Sequence, residues 1–391
     1  MRVLITTPVF PPDLGGPAVY VPSLGRFLAE RGHHVEVIAF CSDPAPQGWP
    51  FRVHSISTRS NAVRYVQAFC AVLREAGRFD VVYVNEHLAL LHVLAARLRG
   101  KPVVIRIMVD GAWEISHRKG WCGGDDIVTF QTRAYGPRVQ LTRALQRRWW
   151  KWCDHIIACS DFLRGILVRS YGVEPEKVQR IFNAHHGPQY EDVRETRDEA
   201  RAKLGLAPRK RYLLTICRLM VWKRVDGIIE ALKGLSEDVH LLVAGDGDMQ
   251  AEWTALAARL GLAQRVHFLG NVPHARIPLY VRAADVFVLN SEYEGLSHTL
   301  LEVMNLGTPI VASNVCGNPE VVEDGVNGLT VDPRRPETLR AAVEKLLADP
   351  GLAERFVREG LARRDRFRRD RTFGEVERAL ARCVPAGSDP S

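Results

Sequence analysis

Along almost all of the 391-residue chain, apolar runs of four to seven residues alternate with amphipathic stretches of helical period. Val3–Thr7, Val35–Phe40, Val81–Asn85, Val103–Ile107 and Ile156–Cys159 read as strands; Tyr20–Arg31, Ala62–Ala76 and Ala89–Arg99 read as the helices between them. Continuous apolar strands separated by helices predict βαβ units, hence a parallel sheet covered on both faces. The pattern lapses in the polar segment Gln189–Arg211, then restarts with Tyr212–Ile216, Val239–Ala244, Val266–Leu269, Val286–Leu289 and Ile310–Ala312. The expected fold class is α/β, with two Rossmann-like βαβ domains facing each other across a cleft. The expected boundaries are 1–187 for a first domain, 188–210 for a linker and 211–365 for a second domain. A C-terminal helix over 366–391 is expected to return to the first domain. Sheets of this kind bind ligands outside the carboxyl ends of their strands.

Charge divides along the same line. Lys and Arg total 53 against 45 Asp and Glu, yet up to Gly187 the count is 24 against 15, and beyond it 29 against 30. A cationic first half points to anionic lipid, nucleic acid or a phosphorylated substrate. Nucleic acid is set aside, because no recognised binding module accompanies the charge. The excess concentrates in Arg133–Lys151, which holds Arg133, Arg138, Arg143, Arg147, Arg148 and Lys151 and no acid. On a helix, Leu141, Leu145, Trp149 and Trp152 share one stripe. That suits an interfacial helix on an anionic membrane; a surface helix whose stripe is buried against the sheet is the favoured account, since the segment immediately precedes an inner strand and needs a core face. Eight cysteines lie scattered without a C-x-x-C pair, and no apolar run approaches the roughly 20 residues that span a bilayer. Nothing after Met1 has the build of a signal peptide. The expected location is cytoplasmic, at the inner face of the membrane if the basic helix touches lipid.

Two Rossmann-like halves first suggest a dinucleotide oxidoreductase, but the G-x-G-x-x-G turn is missing after the first strand. A longer loop ending in Gly15-Gly16 stands there instead. Without Cβ atoms, Gly16 and its neighbour let backbone amides approach a pyrophosphate or a sugar; a plain βα loop accounts for them equally well.

The densest chemistry is the segment Asn290–Met304. Ser297 is a good N-cap residue and Gly307 a good terminator, so a helix is expected between them, just past the strand Val286–Leu289. The free amides of Gly295, Leu296, Ser297 and the next two residues then form an anion site suited to a diphosphate. Glu294 and Glu302 flank it, better placed as acceptors for sugar hydroxyls than as partners for phosphate.

Taken together, Glu294-Gly295-Leu296 through Glu302, Gly307-Thr-Pro-Ile-Val-Ala-Ser and Gly328-Leu-Thr-Val resemble the signature of retaining glycosyltransferases of family 4, the group 1 glycosyl transferases with the GT-B fold. The resemblance extends to Cys217–Asp226, Val243–Gly247 and Phe268–Val272, and more weakly to Gly15-Gly16 and Asp154–Ser160. It implies a hexosyltransferase-type enzyme in which Gly16, Arg218, Lys223 and the Gly295–Ser297 amides hold the donor diphosphate. It further implies Glu302 on the ribose, Glu294 on the donor sugar and the loop Gly270–Val272 on the nucleobase. UDP is the commonest donor nucleotide in the family. No metal or other cofactor is expected, since Arg, Lys and the helix terminus supply the electrostatics; the D-x-D of Asp246 and Asp248 reads as a turn.

One departure stands out. Relatives carry a histidine near the end of the strand after Lys101-Pro102, where this chain has Met108. Asp110, two residues on, is the candidate substitute as base or hydroxyl acceptor; capping the turn before Gly111 is the competing account. His87, His185 and His186 are assigned no role. The acceptor is expected to be a carbohydrate, lipid-linked or small molecule. The alternatives are a non-catalytic sugar-nucleotide-binding or membrane-surface scaffold and, remotely, an oxidoreductase.

Overall fold

The computed structural model describes residues 1–385 except Leu14, Arg59, 86–88 and 185–192, with the backbone alone for Asn61 and Ala62. His87, His185, His186 and the expected 187/188 boundary therefore lie outside the described residues. The chain forms two units, and it passes from the first to the second between Phe182 and Asn183 and back between Arg368 and Arg369.

In the first unit, β1 (Arg2–Thr7), β2 (His34–Phe40), β3 (Arg52–Ile56), β4 (Val81–Val84), β5 (Val103–Ile107), β6 (His155–Ala158) and β7 (Val178–Arg180) form a parallel sheet in the order β3-β2-β1-β4-β5-β6-β7. In the second, β8 (Arg211–Ile216), β9 (Val239–Ala244), β10 (Val266–Gly270), β11 (Val286–Leu289), β12 (Ile310–Ser313) and β13 (Leu329–Val331) are ordered β10-β9-β8-β11-β12-β13. Both are the doubly wound arrangement that the alternating pattern predicts. The strands β3, β7 and β13 are additions: β3 is half-exposed, and the other two are three residues long, so neither a long apolar run nor a clean alternation marks them. Inner strands such as Val81–Val84 and Val286–Leu289 are buried along their whole length, as strands covered on both faces must be.

Part of the segment expected as a linker is folded instead. Residues Arg197–Leu204 form a helix with a complete capping box, Thr196 bonding to the Glu199 amide and Glu199 reaching back to the Thr196 amide. The buried Arg201 of this helix donates to the Ala283 carbonyl at 3.0 Å and to Asp285 at 2.6 Å, so the helix is part of the second unit. The C-terminal helix Arg369–Cys383 packs in the first unit: Phe373 meets Tyr20 and Phe27 edge-on, and Glu377 takes Arg31 and His33.

The basic segment forms the helix Pro137–Trp152, but its Leu/Trp stripe is not its core face. Val139, Gln146, Trp149 and Trp150 are buried, while Leu141 and Leu145 stand 61% and 43% exposed. Packing chose the row that contains Val139 and Trp150, and the reading of the whole stripe as buried is corrected. No helix among the described residues is long and apolar enough to cross a membrane.

Candidate active site

β8 and β11 are neighbours at the point where the strand order of the second sheet reverses, the place where loops leaving adjacent strands diverge and open a crevice. The loop after β8 carries Arg218 and Lys223; the loop after β11 carries Glu294 and runs into the helix His298–Leu306. Ser297 caps that helix by accepting from the Leu300 amide at 3.3 Å, and Gly307 ends it with φ 74°, a left-handed conformation that glycine adopts without strain. The amides of its first turn thus stand at the carboxyl edge of the sheet, beside both loops.

Lys223 Nζ lies 2.6 Å from Glu294 Oε1, which also accepts from Ser291 Oγ at 2.9 Å. Both partners are largely buried, at 17% and 14% exposure. Burial disfavours the Lys223 ammonium, yet the Glu294 carboxylate outweighs it and holds the pKa above the usual lysine range. Arg218 is exposed, and its guanidinium makes no hydrogen bond or ion pair among the described residues. Burial lifts the neighbouring Cys217 thiol to about 11, so it stays protonated at neutral pH.

The backbone around this pair is closely built. A Cβ on Gly317 would lie 2.0 Å from the Gly295 carbonyl oxygen, so the loop after β12 supports the turn before the helix through a contact that only glycine permits. Gly317 also donates its amide to the Glu294 carbonyl at 3.0 Å. On the other side, Gly245 and Gly247 pass so close to the Cys217 and Leu219 carbonyls that a Cβ would meet them at 1.9 and 2.5 Å. Asp246 accepts from the Gly247 amide, the bond of a turn residue. Glu302 is 6% exposed in the second turn of the helix, with His274 Nε2 3.9 Å from its carboxylate. His274 follows Gly270 and Val272 in the loop after β10, and burial lowers its pKa.

The sequence reading singled out Lys223, Glu294, Glu302 and the helix head, and all lie in the second unit, where Lys223 pairs with Glu294 in the loop that leads into the helix carrying Glu302. It also shows residues that reading passed over. Arg224 and Arg334 both reach Glu292, and the buried Asn183 donates to the Leu296 carbonyl at 2.7 Å. Sequence carried one signal for the first of these, a second cation directly after Lys223.

Gly16 and Asp110 belong to the first unit. Gly16 heads the helix Gly16–Glu30 after β1 with open space around its Cα. Asp110 requires a correction. It is 0% exposed and caps the helix Gly111–Arg118 through the Ala112 and Trp113 amides. It also accepts from Gln146 Nε2 and Gln131 Nε2 at 2.7 Å and from the Tyr171 hydroxyl at 2.9 Å. Burial and the Asp110 charge push the Tyr171 phenol well above its usual range, so it stays a donor. A carboxylate with all these bonds and no exposed surface is a cap and packing hub, not a base open to substrate. Met108, at the position of the family histidine, is half-buried just past β5.

Among the described residues, Glu36, His54 and Glu75 hold groups that could share a metal. Their carboxylates already have partners within the protein, Glu36 in His34 and His54 and Glu75 in Arg74 and Arg78, so the cluster is accounted for by contacts among its own side chains.

Residues 196–363 match the family model for glycosyl transferases group 1, and residues 14–185 match that for glycosyltransferase family 4. An alpha-D-kanosaminyltransferase of Streptomyces kanamyceticus is 33% identical over 268 residues, 68% of this chain and 66% of that one. An uncharacterized glycosyltransferase of Methanocaldococcus jannaschii is 26% identical over 91% of this chain and 92% of its own. Among solved structures, HepE of Anabaena in complex with UDP superposes with a TM-score of 0.78 at 21% identity, covering 98% of this chain and all of that one.

Proposed function

The chain belongs to the group 1, family 4 glycosyl transferases and is a glycosyltransferase; from that premise we propose that it moves a sugar from a UDP-sugar to a carbohydrate, lipid-linked or small-molecule acceptor, with retention at the anomeric carbon. The observation that carries this reading is the pairing of Lys223 with Glu294 beside the head of the His298–Leu306 helix. A diphosphate at the helix head gains several amides, the Lys223 ammonium and the uncommitted Arg218 fork. Negative charge accumulates on that diphosphate as the glycosidic bond breaks, so these groups act most strongly in the transition state, and no metal is required. Once Lys223 turns to phosphate, the Glu294 carboxylate is released to accept sugar hydroxyls. Glu302 takes the ribose hydroxyls and the backbone of Gly270–Val272 the base. HepE, solved with UDP, supports uridine as the base. With Asp110 spent on its own fold, retention is assigned to departure and attack on one face of the sugar, the departing phosphate oxygen taking the acceptor proton.

The test is a thermal-shift panel of nucleoside diphosphates and UDP-sugars with and without EDTA. A ligand at about 100 times its dissociation constant adds roughly 2.7 kcal/mol of stability. UDP is expected to raise Tm, and EDTA to leave binding and turnover unchanged. Lack of any nucleotide effect, or turnover that needs a metal, overturns the reading.

A second element concerns the acceptor side. The outward face of the Pro137–Trp152 helix presents Leu141 and Leu145 flanked by Arg138, Arg148 and Lys151, with no acidic residue on the helix. Apolar side chains set among cations suit the headgroup region of an anionic bilayer, and we assign this face to peripheral contact with such a surface. Pelleting with phosphatidylglycerol vesicles but not with phosphatidylcholine vesicles is expected. Equal behaviour in the two refutes the assignment.

A further inference from the structure

We propose that Arg224 is a positioning residue for donor binding, the outer of two ion pairs that hold the donor-site loops in register; this rests on the donor-site reading above. Two consecutive residues of the loop after β8 reach two acids of the loop after β11. Lys223 takes Glu294 at 2.6 Å, and Arg224 Nη1 takes Glu292 Oε1 at 2.7 Å. Arg224 is held from its other side by Asp226 at 3.1 Å, and Arg334, from the loop after β13, reaches the same Glu292 oxygen at 3.3 Å. Three loops leaving the carboxyl ends of β8, β11 and β13 therefore converge on Glu292. Their backbones are laced beneath it: the Glu292 amide donates to the Trp222 carbonyl at 2.7 Å, and Asn290 Nδ2 donates to the carbonyls of Arg224 and Pro333.

Arg224 sits at φ 49° and ψ 42°, the left-handed region that disfavours residues with a Cβ and is open to glycine. The chain keeps a strained arginine where glycine would relax the backbone, and strain of this kind persists where the side chain is needed. The two pairs have different fates on donor binding. The inner pair must open, because a diphosphate competes for Lys223. The outer pair, tied also to Asp226 and Arg334, keeps its partners. It then sets the spacing between Lys223 and the head of the His298–Leu306 helix, the two groups that must meet one diphosphate together.

The experiment measures UDP binding by calorimetry and KM and kcat for a UDP-sugar, alongside Tm, for Arg224→Gly, Arg224→Lys, Glu292→Gln and the double variant Arg224→Gly/Glu292→Gln. Arg224→Gly accepts the backbone conformation, so its Tm should lie close to that of the wild type. Its UDP affinity should fall about tenfold, the size of coupling usual between partly buried partners. KM should rise by a similar factor with little change in kcat. Glu292→Gln should move affinity in the same direction, the double variant should be no worse than the weaker single, and Arg224→Lys should recover part of the loss. Wild-type affinity in Arg224→Gly, additive losses in the double variant, or a loss that only tracks Tm would overturn the assignment. If the wild type itself does not bind UDP, the donor-site reading falls and the clamp falls with it.

Discussion

Asp110 separates a cap from a base, and its two simplest substitutions predict opposite patterns. In Asp110→Ala the donors Ala112 N, Trp113 N, Gln131 Nε2, Gln146 Nε2 and Tyr171 OH lose their shared acceptor inside a site that is 0% exposed. Each orphaned donor costs about 1–3 kcal/mol in isolation; relaxation and shared partners make the sum smaller, so about 3–5 kcal/mol is expected. In a unit of this size that lowers Tm by about 6–20 °C. Asp110→Asn is different. Its oxygen keeps the two cap amides, as Asn does well at N-caps. Its new amide group can be met by Gln131, whose Oε1 has no partner among the described residues, once that side chain flips. A loss of about 1 kcal/mol, or about 2–4 °C, is expected, with kcat within a few-fold of wild type. Calorimetric Tm and steady-state turnover on both variants provide the check. Were Asp110 a general base, Asp110→Asn would fold normally and lose about 100- to 10,000-fold in kcat; that outcome refutes the cap.

Three further outcomes are expected. Arg218→Ala removes an exposed side chain without described partners, so Tm should hold within about 1–2 °C while UDP-sugar turnover falls about 100-fold or more; unchanged turnover removes Arg218 from the donor site. Gly317→Ala places a Cβ against the Gly295 carbonyl and should cost about 1–3 kcal/mol and weaken UDP binding, by denaturant titration and calorimetry; wild-type values would show that the two loops separate freely. Burial lowers the pKa of His92 to about 4, below its value of about 6.5 in the unfolded chain. The unfolded state takes up the extra proton, so the stability from neutral His92 is full above about pH 6.5 and is lost as pH falls through about 4. Between pH 7 and 4.5 the loss attributable to His92 is about 2–3 kcal/mol, and urea titration of His92→Leu should show a correspondingly flatter pH dependence; an identical slope refutes it.

Much of the fold was legible because its signals are local. Apolar runs marked the inner strands, and Ser297 and Gly307 marked both ends of the His298–Leu306 helix. The capping box Thr196-x-x-Glu199 was equally local and would have shown that residues 197–204 are helix, but their high charge reads as linker when composition is weighed first. The edge strands β3, β7 and β13 escaped because β3 is half-exposed and the other two are only three residues long. The Pro137–Trp152 helix carries two rows of large apolar side chains, and periodicity cannot choose between rows. Its neighbours in the fold buried Val139, Trp149 and Trp150 and left Leu141 and Leu145 outside.

The candidate site divides along the same physical line. By itself, the sequence determined which residue types share each loop: Arg218 and Lys223 in one, Glu294 and a capped helix in another. Spacing along a chain is set by covalent geometry and needs no partner to be read. Tertiary structure alone decided that Lys223 meets Glu294 across 71 positions, that Arg224 and Arg334 meet on Glu292, and that Gly317 must lack a Cβ to pass Gly295. It also turned Asp110 inward, because five donors from three helices and a tyrosine surround one carboxylate. Contacts between distant loops depend on which strands lie side by side, and no residue spacing encodes that order.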